Sequence, residues 1–209
     1  MKERLTKLFG LLKDYEQRAK YSLYLSLGVN LIYALVKLIA GVSYGSVWLI
    51  GLGIYYAVLA VMRFSLLLSL NRLDSRRAYL RTAWSLFVLT LAMGGIFAQM
   101  VVENRAYSYP GLLIYVMAVW AFFKIISAVN NLIKRRRDEN KVLAAARCVS
   151  FAAALMSILA LQTAMIQQFG GERRFAQTMN GLGGVAVTAL LIALSVYMMI
   201  RCRKEKNAH

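Results

Sequence analysis

Six apolar stretches long enough to cross a bilayer are separated by segments alternately rich and poor in Lys and Arg. The stretches run roughly over residues 21 to 41, 46 to 70, 83 to 102, 110 to 133, 142 to 168 and 179 to 200. The rich segments hold Lys2, Arg4, Lys7, Lys13, Arg18 and Lys20; Arg72, Arg76, Arg77 and Arg81; Lys134, Arg135, Arg136, Arg137 and Lys141; and Arg201, Arg203, Lys204 and Lys206. The poor ones hold Arg105, Arg173 and Arg174. Basic residues resist translocation, so this asymmetry predicts a multi-pass plasma-membrane protein with both termini cytoplasmic. The expected fold is all-α: a polytopic bundle of six transmembrane helices over residues 21–200. A cytoplasmic or interfacial amphipathic helix over 1–20 precedes it, and a cytoplasmic basic tail over 201–209 follows.

The net charge of +17 raises nucleic acid as a partner, but the pattern argues against it. Most of the basic residues sit in short segments beside the spans, where attraction to anionic lipid headgroups contributes about 1 kcal/mol each. No nucleic-acid-binding motif is present. Membrane lipids, anionic headgroups included, are the expected partners.

The first twenty residues do not read as a cleaved signal, because charges recur through them and no small-residue cleavage site follows a short apolar core. Leu5, Leu8, Phe9, Leu12 and Tyr15 fall on one helical face, with Lys2, Arg4, Lys7, Lys13 and Asp14 mostly elsewhere. That pattern fits an interfacial helix, and also a short cytosolic extension of the first span.

Ligand-bearing residues are scarce. Cys148 and Cys202 do not form a disulfide framework or a chelating pair, and the one histidine is His209. The nine carboxylates, Glu3, Asp14, Glu16, Asp74, Glu103, Asp138, Glu139, Glu172 and Glu205, all lie outside the spans or at their edges. Proton relays and metal-ion pathways through membranes ordinarily need intramembrane Asp, Glu or His. No cofactor is therefore expected. An enzyme is not expected either, since no nucleophile with an adjacent base and no paired intramembrane acids can be assembled.

Four basic residues fall inside the spans: Lys37 near the outer surface, Arg63 and Arg147 within about two turns of the inner surface, and Lys124 somewhat deeper. Two readings stand side by side. Each long side chain snorkels to the headgroups, or Arg63, Lys124 and Arg147 line a basic pocket for a phosphorylated or carboxylated ligand or a lipid headgroup. Asn30, Gln99, Asn130, Asn131, Gln162, Gln167 and Gln168 read mainly as interhelical hydrogen-bonding groups. Glycines at 51 and 53, 94 and 95, and 181, 183 and 184 read as close-packing positions. Pro110 reads as the start of the fourth span.

The run Leu27-Gly28-Val29-Asn30, followed by Lys37, Gly41, Gly45-Ser46 and Leu49, resembles the first hairpin of the cation diffusion facilitator family. The resemblance covers about a sixth of the chain. It implies a six-span exporter scaffold with cytoplasmic termini and a homodimeric assembly. It also places the family's second-span metal ligands at Tyr55 and Leu59. A weaker match over Leu143 to Ser157 places the fifth-span pair at Val149 and Ala153. None of these side chains is an ordinary zinc ligand, and the family's cytosolic C-terminal domain has no counterpart after Ile200. The implied protein is a degenerate, transporter-like scaffold without metal-binding residues, acting through assembly with itself or another membrane protein. The alternative is a transporter or binder of a neutral or anionic solute, or of a lipid headgroup, through the inner-leaflet basic residues.

Overall fold

The computed structural model describes residues 2–70, 75–103, 113–134, 140–170 and 172–204; of these, the side chains of 2–20, 22, 113, 116, 131–134 and 204 are outside the description. The described chain is helical throughout its six elements. These are α1 (Lys2–Ser43), α2 (Val47–Ser69), α3 (Ser75–Glu103), α4 (Leu113–Lys134), α5 (Lys141–Phe169) and α6 (Arg173–Lys204). Five of them are long and apolar enough to cross a membrane. In α4 the apolar run among the described residues is shorter, Met117–Asn130. Pro110, expected to open that helix, lies outside the described residues. The backbone of α1 continues unbroken through residue 20, so residues 2–20 and the first apolar stretch belong to one helix.

The turn between α1 and α2 is tight. Gly45 has φ +59°, a left-handed conformation that glycine adopts without steric cost. Ser46 then caps α2, its Oγ accepting from the Leu49 N–H at 3.4 Å. The two helices pack closely because Gly41 and Gly53 face the partner backbone. A methyl group at Gly53 would lie 2.6 Å from Leu38 Cγ, and one at Gly41 would lie 2.7 Å from Ile50 N. At the start of α5, Asn140 Oδ1 accepts from the N–H groups of Val142 (3.0 Å) and Leu143 (3.4 Å).

α2 and α5 form the centre of the bundle. α2 packs against α1, α3 and α5, and α5 packs against α2, α3, α4 and α6. The composition of α5 explains its position: Ala145, Ala146, Ala152, Ala153, Ala154, Ala160 and Ala164 are buried and let several helices approach one axis. α3 and α6 are tied at both ends. Arg76 Nη2 donates to the Cys202 carbonyl at 3.2 Å, and Gln177 Nε2 donates to the carbonyls of Val101 and Val102 at 3.3 and 3.2 Å. Between these ties the Phe97 ring of α3 rests on Gly184 of α6 and also meets the Trp48 ring edge-on at 5.3 Å. Gln162 Nε2 donates to the Met179 carbonyl at 2.9 Å and joins α5 to α6, as expected of an interhelical amide. Cys148 and Cys202 are both free and buried.

Candidate functional site

α1 and α4 pack mainly against α2 and α5 respectively, so the space where the four helices converge is only partly filled by the central pair. A cavity of about 340 Å³ occupies it. Helical periodicity brings its lining together. Leu23, Ser26 and Asn30 recur along one face of α1. Trp120, Lys124, Ser127 and Ala128 do so on α4, and Leu143, Ala146, Arg147, Ser150 and Ala153 on α5, while α2 contributes Arg63.

All three basic residues singled out in the sequence, Arg63, Lys124 and Arg147, therefore line one space. Arg63 does not snorkel. It is 3% exposed, and its Nη2 donates to Ser150 Oγ at 3.0 Å while Ser150 Oγ donates to the Ala146 carbonyl at 3.0 Å. Lys124 is half-buried about ten residues, or roughly 15 Å, from the Lys134 end of α4. Its Nζ lies 4.7 Å from the Tyr56 ring centroid, 4.8 Å from Tyr33 and 5.9 Å from Trp120. Those π faces attract the ammonium but accept none of its three protons as a conventional hydrogen bond. Lys37 is also buried, 2% exposed, with its Nζ 5.2 Å from the Tyr33 ring centroid, and it does not line the cavity.

Among the described residues, the buried side-chain atoms without a hydrogen-bond partner divide by chemistry. The donors Asn30 Nδ2, Arg63 Nε, Trp120 Nε1 and Lys124 Nζ all belong to cavity-lining residues. The acceptors, Gln168 Oε1 and Asn180 Oδ1, lie elsewhere, on α5 and α6. A buried donor left unpartnered costs about 1–3 kcal/mol, and four of them belong to residues that line this one space, so an acceptor brought among them would relieve that cost. Among the described lining residues there is no carboxylate to serve as that acceptor. Chemically the cavity is a preorganised set of donors around three positive charges, suited to holding an oxoanion. Sequence reasoning missed Asn30 and Trp120 as site residues. Asn30 reads in sequence as a packing amide, and Trp120 carries no intrinsic signal; one was available, since Trp120 stands four residues before Lys124 on the same helical face.

The four positions that the family resemblance assigns to metal ligands lie along the α2–α5 contact and are filled by core. Tyr55, Leu59, Val149 and Ala153 are all buried. Tyr55 Oη donates to the Ala152 carbonyl at 3.4 Å, and the neighbouring Tyr56 Oη lies 3.0 Å from the Ala153 carbonyl and 2.7 Å from Ser157 Oγ. Among the described residues, no group of three or more His, Cys, Asp or Glu side chains is placed to hold a metal ion. A transition-metal site needs several deprotonated nitrogen, sulfur or oxygen donors, and these four positions offer one phenol. Proteoliposomes carrying the protein are expected to show no saturable zinc or manganese uptake. Saturable uptake that disappears when Tyr55, Leu59, Val149 and Ala153 are altered would contradict this.

In comparison with known proteins, the chain matches no family model, and no curated protein is significantly similar to it.

Proposed function

We propose that this chain is a multi-pass membrane protein that binds an anionic group in the cavity between α1, α2, α4 and α5. The observation that carries the proposal is that five residues lining this space, Asn30, Arg63, Trp120, Lys124 and Arg147, include three cations and four side chains with an unpartnered buried donor, Arg63 and Lys124 being both, with no carboxylate among the described lining residues. In a low-dielectric surrounding each such donor gains far more from an anionic oxygen than it would in water. That feature favours the binding or transport of an anion over a purely structural scaffold. The α2–α5 contact, with the positions expected for metal ligands closed by Tyr55 and its neighbours, fits a cation-exporter-like scaffold that handles no metal.

The direct test is titration of the purified protein with inorganic phosphate. A ligand that binds only the folded state stabilises it by about 2.7 kcal/mol at one hundred times its Kd. A saturable rise in melting temperature beyond that given by chloride of matched ionic strength is expected. Identical curves for the two salts would refute anion binding.

The proposed orientation places both termini in the cytoplasm, and with them the end of the bundle where α2 ends and α5 begins. Cysteines introduced at Ser43 or Tyr107 in intact cells are expected to react with an impermeant thiol reagent. Those at Ser75 or Asn140 are expected to react only after permeabilisation. External labelling at Ser75 or Asn140 would reverse or dismantle this topology.

A further inference from the structure

The donor cavity is partly open, and two of its lining residues, Leu25 of α1 and Phe123 of α4, are 73% and 61% exposed. A second, almost wholly apolar hollow of about 500 Å³ lies along the same pair of helices, lined by Tyr33, Tyr115, Met117, Val119 and Trp120. The two spaces share one wall, the Trp120 side chain, whose Nε1 is one of the unpartnered donors. Tyr33 Oη donates to Met117 Sδ at 3.9 Å, so α1 and α4 touch within the apolar hollow.

From the anion-binding reading above, we infer that the ligand is a lipid with a phosphate-monoester headgroup. The headgroup occupies the donor cavity and an acyl chain lies in the apolar hollow. The polar space lies nearer the basic end of the bundle than the apolar one does. The polar one lies toward the ends of α2 and α4 and the start of α5, where the chain is most basic; the apolar one lies further along α4 toward its first residues. A free anion would leave the apolar hollow unexplained. A neutral lipid would leave the unpartnered donors of Asn30, Arg63, Trp120 and Lys124 without an anionic acceptor. A phosphate monoester carries a charge of about −1.5 to −2 and three acceptor oxygens. It offers four unpartnered donors, two of them on the cations Arg63 and Lys124, more charge and more acceptors than a phosphodiester with a single charge does.

Trp120 reports on the site directly. The chain has three tryptophans, Trp48, Trp84 and Trp120, so a Trp48→Phe/Trp84→Phe protein isolates the fluorescence of Trp120. Reconstituted with lipids brominated on the acyl chain, phosphatidic acid is expected to quench it at a mole fraction lower by about tenfold or more than phosphatidylcholine. Lys124→Met and Arg147→Gln are each expected to remove that preference. Native mass spectrometry of the unsubstituted protein provides a second measurement, with phosphatidic acid expected to remain bound where phosphatidylcholine and the phosphodiester phosphatidylglycerol dissociate. Equal behaviour of phosphatidic acid and phosphatidylglycerol overturns the monoester assignment. Equal behaviour of all three lipids overturns the lipid assignment, and if inorganic phosphate still stabilises the protein, the anion-binding reading survives it. If neither phosphate nor phosphatidic acid binds, both fall.

Discussion

Replacing Lys124 by Met is expected to weaken phosphate binding by about tenfold to a hundredfold while leaving the folded protein at least as stable as before. A hydrogen bond to a charged group contributes about 1.5–3 kcal/mol, and Lys124 Nζ is a buried cation beside the cavity with no hydrogen-bond partner of its own. Methionine keeps the length of the side chain and removes the charge. Two opposing effects set the stability of the variant. An intramembrane lysine costs about 2.5–3.5 kcal/mol on insertion scales. Its attraction to the rings of Tyr33, Tyr56 and Trp120 offsets on the order of 2 kcal/mol of that cost. Removing the charge relieves more than the lost ring contacts cost, so the melting temperature without ligand holds or rises. Isothermal titration with phosphate, together with thermal unfolding in ligand-free buffer, measures both quantities on one preparation. Unchanged binding in the Lys124→Met protein would remove Lys124 from the site. Lost binding with a collapsed melting temperature would mean that the lysine holds the helices together and does not serve a ligand.

The second large effect concerns packing between α3 and α6. A side chain at Gly184 has no room, because the Phe97 ring occupies the place where its Cβ would lie, and Phe97 also packs against Trp48. Gly184→Leu is therefore expected to destabilise the protein by about 1–3 kcal/mol through overpacking, or more where the ring cannot turn aside. Phe97→Ala alone opens a cavity and is expected to cost about 3–5 kcal/mol. In the double variant the new leucine enters the space the ring has left, so the two losses are expected to fall short of adding by about 0.5–3 kcal/mol. Denaturant or thermal unfolding of the four proteins in one detergent measures the coupling. Strictly additive losses would show that Phe97 and Gly184 do not compete for the same volume. By contrast, Gly95 has open space at its Cβ position, so Gly95→Ala is the control expected to be neutral or slightly stabilising.

Hydropathy and charge were sufficient to place the helices. In a bilayer every backbone polar group must be satisfied within its own segment, which leaves a long apolar stretch little choice but to be helical. The spans read from sequence thus agree with α2 and α5 to within a residue or two, while α3 and α6 begin at Ser75 and Arg173, ahead of the spans expected from 83 and 179. α1 runs back to Lys2, with no proline to interrupt residues 2–20, and α4 covers Leu113–Lys134 where the sequence places a span over residues 110 to 133. The cationic set was also legible, since a lysine or arginine inside an apolar run is conspicuous whatever surrounds it.

What the linear pattern left undecided was whether those cations reach lipid headgroups or each other. A long flexible side chain can do either, and the outcome depends on which helix faces meet. The alanine-rich α5 draws α2 and α4 to one axis and turns Arg63, Lys124 and Arg147 toward a common space. The same packing buries Arg63 against Ser150, and it sets Asn30 and Trp120 beside the cations with their donors unmatched. Amide and indole donors are ordinary residues until tertiary structure removes their acceptors. The sequence could supply the charges of this site, and only the packing of four helices could bring them together around donors that no neighbouring side chain satisfies.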